Sequence, residues 1–597
     1  MEKHFIKYFA LLLGATMAFQ ACNLIETQKS TADAAMVFGS ETGLRSYCYS
    51  FYGFLPNGSS VHRQDEMADY LAKNELERYE QGFLTAENQS SWDWSDIRNV
   101  NYFLDHNHYE SVPLNVRNNY NGIARFFRAM LYYKMLYWYG EVPWIDHVLN
   151  PGDPELLAPR DSRDVIIKHI MEDCDFAFEH ILEEGSASSE ACLVNKWCAM
   201  LLKSRVCLFE ASWRKYHAGT PYVAGCTIPA DELFRNAADA AAIVMDGKVF
   251  SLHTGTPDNG GRGAYRDLFS SATVPTDEVM LAVASDPALS SPGYANYYYN
   301  VQASRASLTR PFMNTYLNAD GTFFSETHAD GTYKTFLEET TGRDYRMNQT
   351  IRAYDYSCKD VNGVMARTTA NYGYSLTGYQ VTKFCQDDVV YDTYGANSND
   401  VPVMRYAEVL LNYAEAKAEL GALTDDDWKK TIGALRRRAG ITGGSLDTKP
   451  TEVDNYLKST YFPGISNPEI LEIRRERSIE LCLEGFRMRD LKRWACGRLW
   501  ETAPWTGVFI TATNAPLDMN GDGTPDVYFT VGESTAPDEY AKIAVALPKN
   551  SSWISVPGGK VLSFNMTGRV WNDNMYLDPI ANTDRTQNPN LSQNPGY

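Results

Sequence analysis

Cys22 is the residue whose position in the sequence points most directly to a covalent reaction. It follows a small residue, Ala21, and a basic start with an apolar stretch over residues 9–19 that is too short to cross a bilayer as a mature helix. This arrangement is typical of a bacterial lipoprotein cleavage site, after which the new N-terminal cysteine carries acyl chains. We therefore predict a signal peptide over residues 1–21 and a lipid anchor on Cys22. The alternative is an ordinary signal peptide with an incidental cysteine.

A second segment carries oxygen atoms at the spacing of a calcium-binding loop. Side-chain oxygens recur at loop positions 1, 3, 5 and 9, and a glycine stands at position 6, where such loops turn sharply. Position 12 is Phe529, so the usual closing glutamate is missing. The alternative is a plain Asp-Gly turn between two strands. The sequence requires no cofactor but predicts calcium as a structural ion on Asp518, Asn520, Asp522 and Asp526.

The common catalytic motifs do not occur in the chain. There is no His-Glu-x-x-His metal motif and no Gly-x-Ser-x-Gly nucleophile motif. His106 and His108 are the closest histidine pair, and two residues apart they do not share a helix face. Carboxylates are abundant, so a glycosidase pair is not excluded, but no pattern favours one. We predict a protein that is not an enzyme.

The elements that must position these residues are mainly helical. Apolar residues recur at helical spacing over residues 118–139, 195–216, 231–246, 403–420 and 468–494. Small alanines at the contact positions of these segments favour a tetratricopeptide-like scaffold of stacked helices. Asp231 is placed to cap one helix and Gly247 to end it.

The remainder of the chain is predicted to form long irregular loops with a few short β-hairpins. Residues 251–400 and 500–597 are rich in Gly, Asn, Asp, Ser and Thr, and alternation over 508–511 and 527–531 predicts a local hairpin. We place domains at 22–270 and 271–597. Trp92 and Trp94 precede apolar residues at helical spacing, and we expect them in the core rather than at a ligand.

Composition restricts the kind of partner. The formal net charge of −20 argues against nucleic acid and against anionic lipid surfaces as partners. No other apolar stretch of membrane length follows the leader. The many tyrosines suit both sugar stacking and helix packing. The cysteines lie mostly in helix-like segments, and we expect most of them to be buried thiols rather than disulfides.

Five motifs stand in order behind Cys22. They are Arg125-Phe126-Phe127-Arg128-Ala129 running to Tyr139-Gly140-Glu141-Val142-Pro143, residues 405–416 (RYAEVLLNYAEA), residues 435–440 (LRRRAG), residues 473–477 (IRRER) through 484–487 (EGFR) to 490–494 (DLKRW), and the tail 588–597 (NPNLSQNPGY). Together these motifs resemble those of SusD/RagB-type proteins, the nutrient-binding outer-membrane lipoproteins of Bacteroidetes. Arginines and carboxylates in these motifs, such as Arg405 with Glu408 and Arg487 with Asp490, are spaced to pair along one helix, and we expect them to stabilise the scaffold.

The resemblance implies a function and a partner. Proteins of this type bind an oligosaccharide without chemistry and sit over a SusC-like TonB-dependent outer-membrane barrel. For this chain we therefore expect a lipid-anchored, surface-exposed glycan-binding protein of the outer membrane. A peptide or glycopeptide ligand is the first alternative, and a polysaccharide hydrolase or a structural surface lipoprotein are further ones.

Sugar binding calls for exposed aromatic rings interleaved with amides and carboxylates. The resemblance implies that the region after the first helix supplies part of the ligand face, and a tyrosine-rich stretch after Pro292-Gly293 is predicted to be an exposed loop. A packed aromatic strand edge is the alternative there. The candidate ligand-binding residues are Asp69, Tyr70, Asn74, Tyr79, Tyr294, Asn296, Tyr297, Tyr298, Tyr299 and Asn300.

Overall fold

The computed structural model describes residues 34–89, 92–182, 192–254, 263–289, 291–547, 553–564 and 568–597. Cys22 and the predicted signal peptide lie outside these ranges. The described helices are α1 (Ala34–Phe38), α2 (Glu41–Ser50), α3 (Ser95–His106), α4 (Leu114–Tyr139), α5 (Arg163–His180), α6 (Lys196–Tyr216), α7 (Ala230–Gly247), α8 (Ala264–Ser270), α9 (Ala295–Asn300), α10 (Arg310–Met313), α11 (Phe336–Thr340), α12 (Tyr345–Thr350), α13 (Tyr406–Glu419), α14 (Asp425–Lys430), α15 (Ile432–Arg438), α16 (Asn455–Thr460), α17 (Pro468–Glu480), α18 (Arg487–Arg493), α19 (Leu499–Thr502) and α20 (Asn582–Gln587).

The fold is mainly α, as predicted, and its long helices stack in succession in a tetratricopeptide-like array. Helix α4 packs on α5, α5 on α6, α6 on α7, α7 on α13, and α13 on α17. Close approach depends on small residues: a Cβ atom on Gly247 would lie 2.4 Å from the Trp197 ring. Among the described helices, we find none with the length and hydropathy needed to span a lipid bilayer.

The helix boundaries agree with the sequence at several ends and differ at others. Gly140 directly follows the last residue of α4. Its φ of 75° is a backbone conformation that would be strained for residues other than glycine. Asp231 is not a cap, because α7 begins one residue earlier, behind Pro229. The stretch predicted as one helix over 403–420 begins instead with a strand, and the 468–494 stretch is two helices separated by Leu483 and Gly485, both at positive φ.

The strands are short and lie in the loops. The predicted hairpin pairing is wrong: β8 pairs with β13, whereas β10 pairs antiparallel with β9 and parallel with β11. The described strands are β1 (Leu71–Ala72), β2 (Val279–Val283), β3 (Ser307–Leu308), β4 (Ser357–Lys359), β5 (Met365–Arg367), β6 (Tyr379–Gln380), β7 (Val401–Arg405), β8 (Thr506–Ile510), β9 (Pro516–Leu517), β10 (Val527–Val531), β11 (Ala544–Leu547), β12 (Trp553–Val556) and β13 (Gly559–Ser563).

Buried ion pairs join distant parts of the chain. The structural role expected for the motif charges is confirmed, but their predicted partners within one helix are wrong. Arg405 donates to Glu278 and Glu480 rather than to Glu408, which accepts from Arg205. Each guanidinium reaches a neighbouring element because it is buried among several packed helices.

The ten cysteines in the described ranges are free thiols and seven of them are buried, as expected. The division into domains at residue 270 stays a prediction.

Candidate functional site

The tyrosine-rich segment predicted as an exposed loop is the short helix α9, preceded by Tyr294. Because residues three and four apart share a helix face, Tyr294 and Tyr297 lie together, and the segment is neither the predicted loop nor the alternative strand edge. Tyr298 and Tyr299 are buried. The Tyr298 hydroxyl donates to Glu66, and the Tyr299 hydroxyl donates to the His62 carbonyl at 2.8 Å. These two rings hold the helix on the loop before β1 and are not exposed to a ligand.

The two asparagines of this segment belong to a buried amide network. Asn296 Nδ2 donates to the Gln386 carbonyl at 2.9 Å, and its Oδ1 accepts from Asn397 at 2.7 Å. Asn300 Nδ2 donates to Asp392 Oδ1 at 2.8 Å, and its Oδ1 accepts from Arg352. Their amides are already used by the protein, so the direct sugar contacts expected from Asn296 and Asn300 have no support.

Three tyrosines nevertheless meet at the surface above this network. The Tyr394 ring packs edge-on against Tyr294 with centroids 4.6 Å apart and against Tyr297 with centroids 5.2 Å apart. Tyr394 is 69% exposed, and the other two rings are partly exposed. We call Tyr294, Tyr297 and Tyr394 the tyrosine surface. Sequence reasoning missed Tyr394, although its setting of Asp392, Thr393 and Gly395 is the aromatic-and-polar pattern used to choose the other candidates.

The candidates after the first helix are mostly structural. Asp69 accepts two hydrogen bonds from Arg487, at 2.6 and 2.8 Å, and is buried. Tyr70 is buried too, and its hydroxyl donates to Asp65. Tyr79 donates to the Met575 carbonyl at 3.0 Å. Asn74 is exposed, and its Nδ2 donates to the Ala303 carbonyl at 2.9 Å. Of these four residues, only Asn74 is exposed at the surface.

Trp92 and Trp94 pack against the main hydrophobic core, as expected, but neither side chain is completely buried. Both are partly exposed and their ring centroids lie 5.4 Å apart, edge to face. They line a cavity of about 610 Å³ between the start of α3 and the C-terminal segment around α20. Asp584 and Gln587 bring a carboxylate and an amide to the same cavity, and burial raises the pKa of Asp584. Helical spacing missed this cavity because α3 begins only at Ser95.

The Asp518 segment is the turn between β9 and β10. Asp518 accepts hydrogen bonds from the Gly521 and Gly523 amides at 2.7 and 2.8 Å. Asp522 accepts from Thr524 N and Asn520 Nδ2, and Asp526 accepts from Met519 N. Among the described residues, no three His, Cys, Asp or Glu side chains converge as a metal site. Each of these carboxylates accepts hydrogen bonds within the turn, and calcium binding stays a prediction.

Comparison with known proteins matches the C-terminal half to a family and most of the chain to solved folds. The sequence model of the SusD family matches residues 278–597. A SusD-like protein from Bacteroides fragilis NCTC 9343 has 23% identity and a TM-score of 0.66, covering 95% of this chain and 99% of its own. A SusD-like carbohydrate-binding protein from the same organism has 20% identity and a TM-score of 0.66, covering 93% and 100%.

A third solved structure contains a ligand. It was determined with a xylogluco-oligosaccharide, and it has 16% identity to this chain and a TM-score of 0.58, covering 92% of this chain and 97% of its own. No curated protein sequence matches the chain. At these identities the solved structures establish a shared fold.

Proposed function

Because this chain belongs to the SusD family, we propose that it binds an oligosaccharide at the cell surface and delivers it to a SusC-like TonB-dependent transporter. The ligand is bound and released without chemistry. The chain is held at the outer membrane by acyl chains on Cys22, and the transporter is its protein partner.

The tyrosine surface is the observation that carries the glycan assignment. Phenol rings offer flat apolar faces to the C–H faces of sugar rings, and their hydroxyls donate to sugar oxygens. Tyr394 is 69% exposed on a surface whose supporting amides are all hydrogen-bonded. A rigid, exposed aromatic group loses little conformational freedom on binding, which favours its use as a contact.

Two fold relatives support a glycan over a peptide. One is a carbohydrate-binding protein and another was solved with a xylogluco-oligosaccharide. A peptide or glycopeptide ligand stays the alternative within the same type of importer. The net charge of −20 disfavours acidic peptides at most of the surface.

The test is affinity electrophoresis of the purified protein against a panel of neutral glycans. For a glycan that binds, Tyr394→Ala and Tyr297→Ala should each weaken affinity at least about fivefold, the effect of losing more than about 1 kcal/mol. Tyr345→Ala is the matched control, because Tyr345 is 41% exposed but lies outside the tyrosine surface. If both tyrosine variants bind the glycan with wild-type affinity while Trp94→Ala binds it more weakly, the ligand occupies the Trp92–Trp94 cavity instead.

Two further measurements test the rest of the proposal. Incubation of the bound glycan with protein should release no reducing ends, and release would assign a hydrolase. Purification from native membranes should recover a large barrel with this protein. Recovery of this protein without a barrel would favour a structural surface protein.

A further inference from the structure

A second cavity lies on another part of the surface, between α4 and α18. Its volume is about 610 Å³, within the range of pockets that hold drug-sized ligands, about 300–1,000 Å³. Partly exposed rings of Phe54 and Trp138 line it, together with charged side chains. We call it the cationic cleft, and its charged residues are Arg63, Glu66, Lys134, Arg205, Glu484 and Arg489.

Most charges in the cleft are neutralised by neighbours. Arg63 pairs with Glu66 at 2.6 Å. Arg205 donates to both oxygens of Glu408 at 2.7 Å. Glu484 accepts from Lys383 and Arg405. These groups hold the wall together and leave no free charge for a ligand.

Lys134 and Arg489 are different. Within the described ranges, no carboxylate lies within 4.0 Å of either charged group. The Arg489 guanidinium lies over the rings of Tyr133 and Tyr137, 5.9 and 5.6 Å from their centroids. Lys134 is exposed on the same helix, between these two tyrosines. Asp93 and Asp96 interact with Lys134 at longer range, and Asp65 interacts with Arg489, but none of these carboxylates forms an ion pair with either cation.

An acidic protein that leaves two cations unpaired in one cleft concentrates positive potential there. A guanidinium held on aromatic faces is oriented before a ligand arrives and presents its N–H groups to a planar or tetrahedral anion. We propose that the cationic cleft binds an acidic oligosaccharide, with Arg489 and Lys134 contacting a carboxylate or sulfate group and Phe54 or Trp138 stacking on the sugar ring. The proposal rests on the proposed function for the sugar class, but its site is separate from the tyrosine surface.

The experiment is calorimetric titration of the full mature chain with tetragalacturonate and with its carboxyl-reduced, neutral counterpart. A heparin-derived tetrasaccharide distinguishes sulfate from carboxylate. The acidic probe should bind more tightly than the neutral one, and its affinity should fall with added salt. Arg489→Gln and Lys134→Gln should each weaken it about tenfold, the loss expected for one charge-assisted hydrogen bond.

Arg498→Gln is the matched control, since Arg498 is an exposed cation that does not line the cleft. Melting temperatures show whether each variant folds. Lys134→Gln still tests the proposal if the Arg489→Gln variant does not fold. Equal binding of the neutral and acidic probes would overturn the proposal, as would wild-type affinity in both variants. Tighter binding of tetraglutamate than of either acidic sugar would assign the cleft to acidic peptides and also overturn it. Loss of neutral-glycan binding in Tyr394→Ala bears only on the tyrosine surface.

Discussion

Arg487 donates two hydrogen bonds to the Asp69 carboxylate, at 2.6 and 2.8 Å, across 418 residues of chain. Both side chains are buried, and the Asp69 charge contributes to a raised pKa of the Arg487 guanidinium despite the opposing effect of burial. The pair joins the loop before β1 to the start of α18. It therefore positions the first loop, which carries His62 and Glu66, against the C-terminal scaffold.

Breaking this pair should destabilise the protein strongly. Removing one partner leaves the other charge buried and unpaired, which costs about 3–5 kcal/mol. We expect this loss for Arg487→Met and for Asp69→Asn, measured by urea unfolding. The double variant Asp69→Asn with Arg487→Met should lose less than the sum of the two single losses. Additive losses would mean that the two side chains do not act as a pair.

The buried tyrosines behind the tyrosine surface should contribute to stability. Tyr298→Ala leaves a cavity, and truncation of a buried aromatic ring costs about 3–5 kcal/mol. Tyr394→Ala, at an exposed ring, should change the free energy of unfolding by less than about 0.5 kcal/mol. Tyr298→Phe keeps the ring and removes only the hydroxyl that donates to Glu66, so it separates the contribution of the hydroxyl to stability from that of the ring. Similar losses for Tyr298→Ala and Tyr394→Ala would contradict the described burial.

His62 should make stability fall in mild acid. Burial, aided by the Arg63 charge, lowers the pKa of His62 from 6.5 to about 3. The imidazole is therefore protonated near pH 6.5 in the unfolded chain but only near pH 3 in the folded chain. Because the unfolded state binds the proton more readily, the free energy of unfolding falls as the pH falls through this window. Between pH 6.5 and 5 the loss is roughly 2 kcal/mol. Urea unfolding of His62→Phe should show a correspondingly weaker pH dependence, and equal slopes would refute the assignment.

The calcium prediction has a direct thermal test. Binding to the folded state alone raises the melting temperature, so calcium should stabilise wild type and a chelator should reverse the effect. Asp522→Ala should abolish the difference. Asp538→Ala is a control at an exposed aspartate outside the turn. Identical melting curves with calcium and with chelator would leave only the hydrogen-bonded turn.

The lipid anchor is tested by Cys22→Ser. Without the thiol no acylation occurs, and the protein should leave the membrane fraction for the soluble fraction. Metabolic labelling with a palmitate analogue follows the modification directly. Membrane retention of an unlabelled Cys22→Ser protein, in cells lacking the transporter, would contradict the prediction. Protease treatment of whole cells that leaves wild type intact would argue against surface exposure.

Local patterns were sufficient to predict most of the long helices and the general architecture. Helical spacing in residues 118–139 and the stop at Gly140 depend on the period of the α-helix and on the backbone freedom of glycine, both of which are local properties. The burial of the thiols and the strand at Val527–Val531 were also predictable, because they too depend on local properties of the sequence. The family resemblance was confirmed by the match over residues 278–597.

Contacts between distant segments were not encoded in any local pattern. Arg487 faces Asp69 rather than Asp490, and Tyr394 joins Tyr294 across a hundred residues, because packing of separate elements chooses the neighbours of a side chain. The same holds for Trp92 and Trp94, whose cavity is closed by residues from the C-terminal end of the chain. Residue types and periodicity predict which side chains can stack or pair, but the folded arrangement decides which are exposed together, since burial depends on elements far away in sequence.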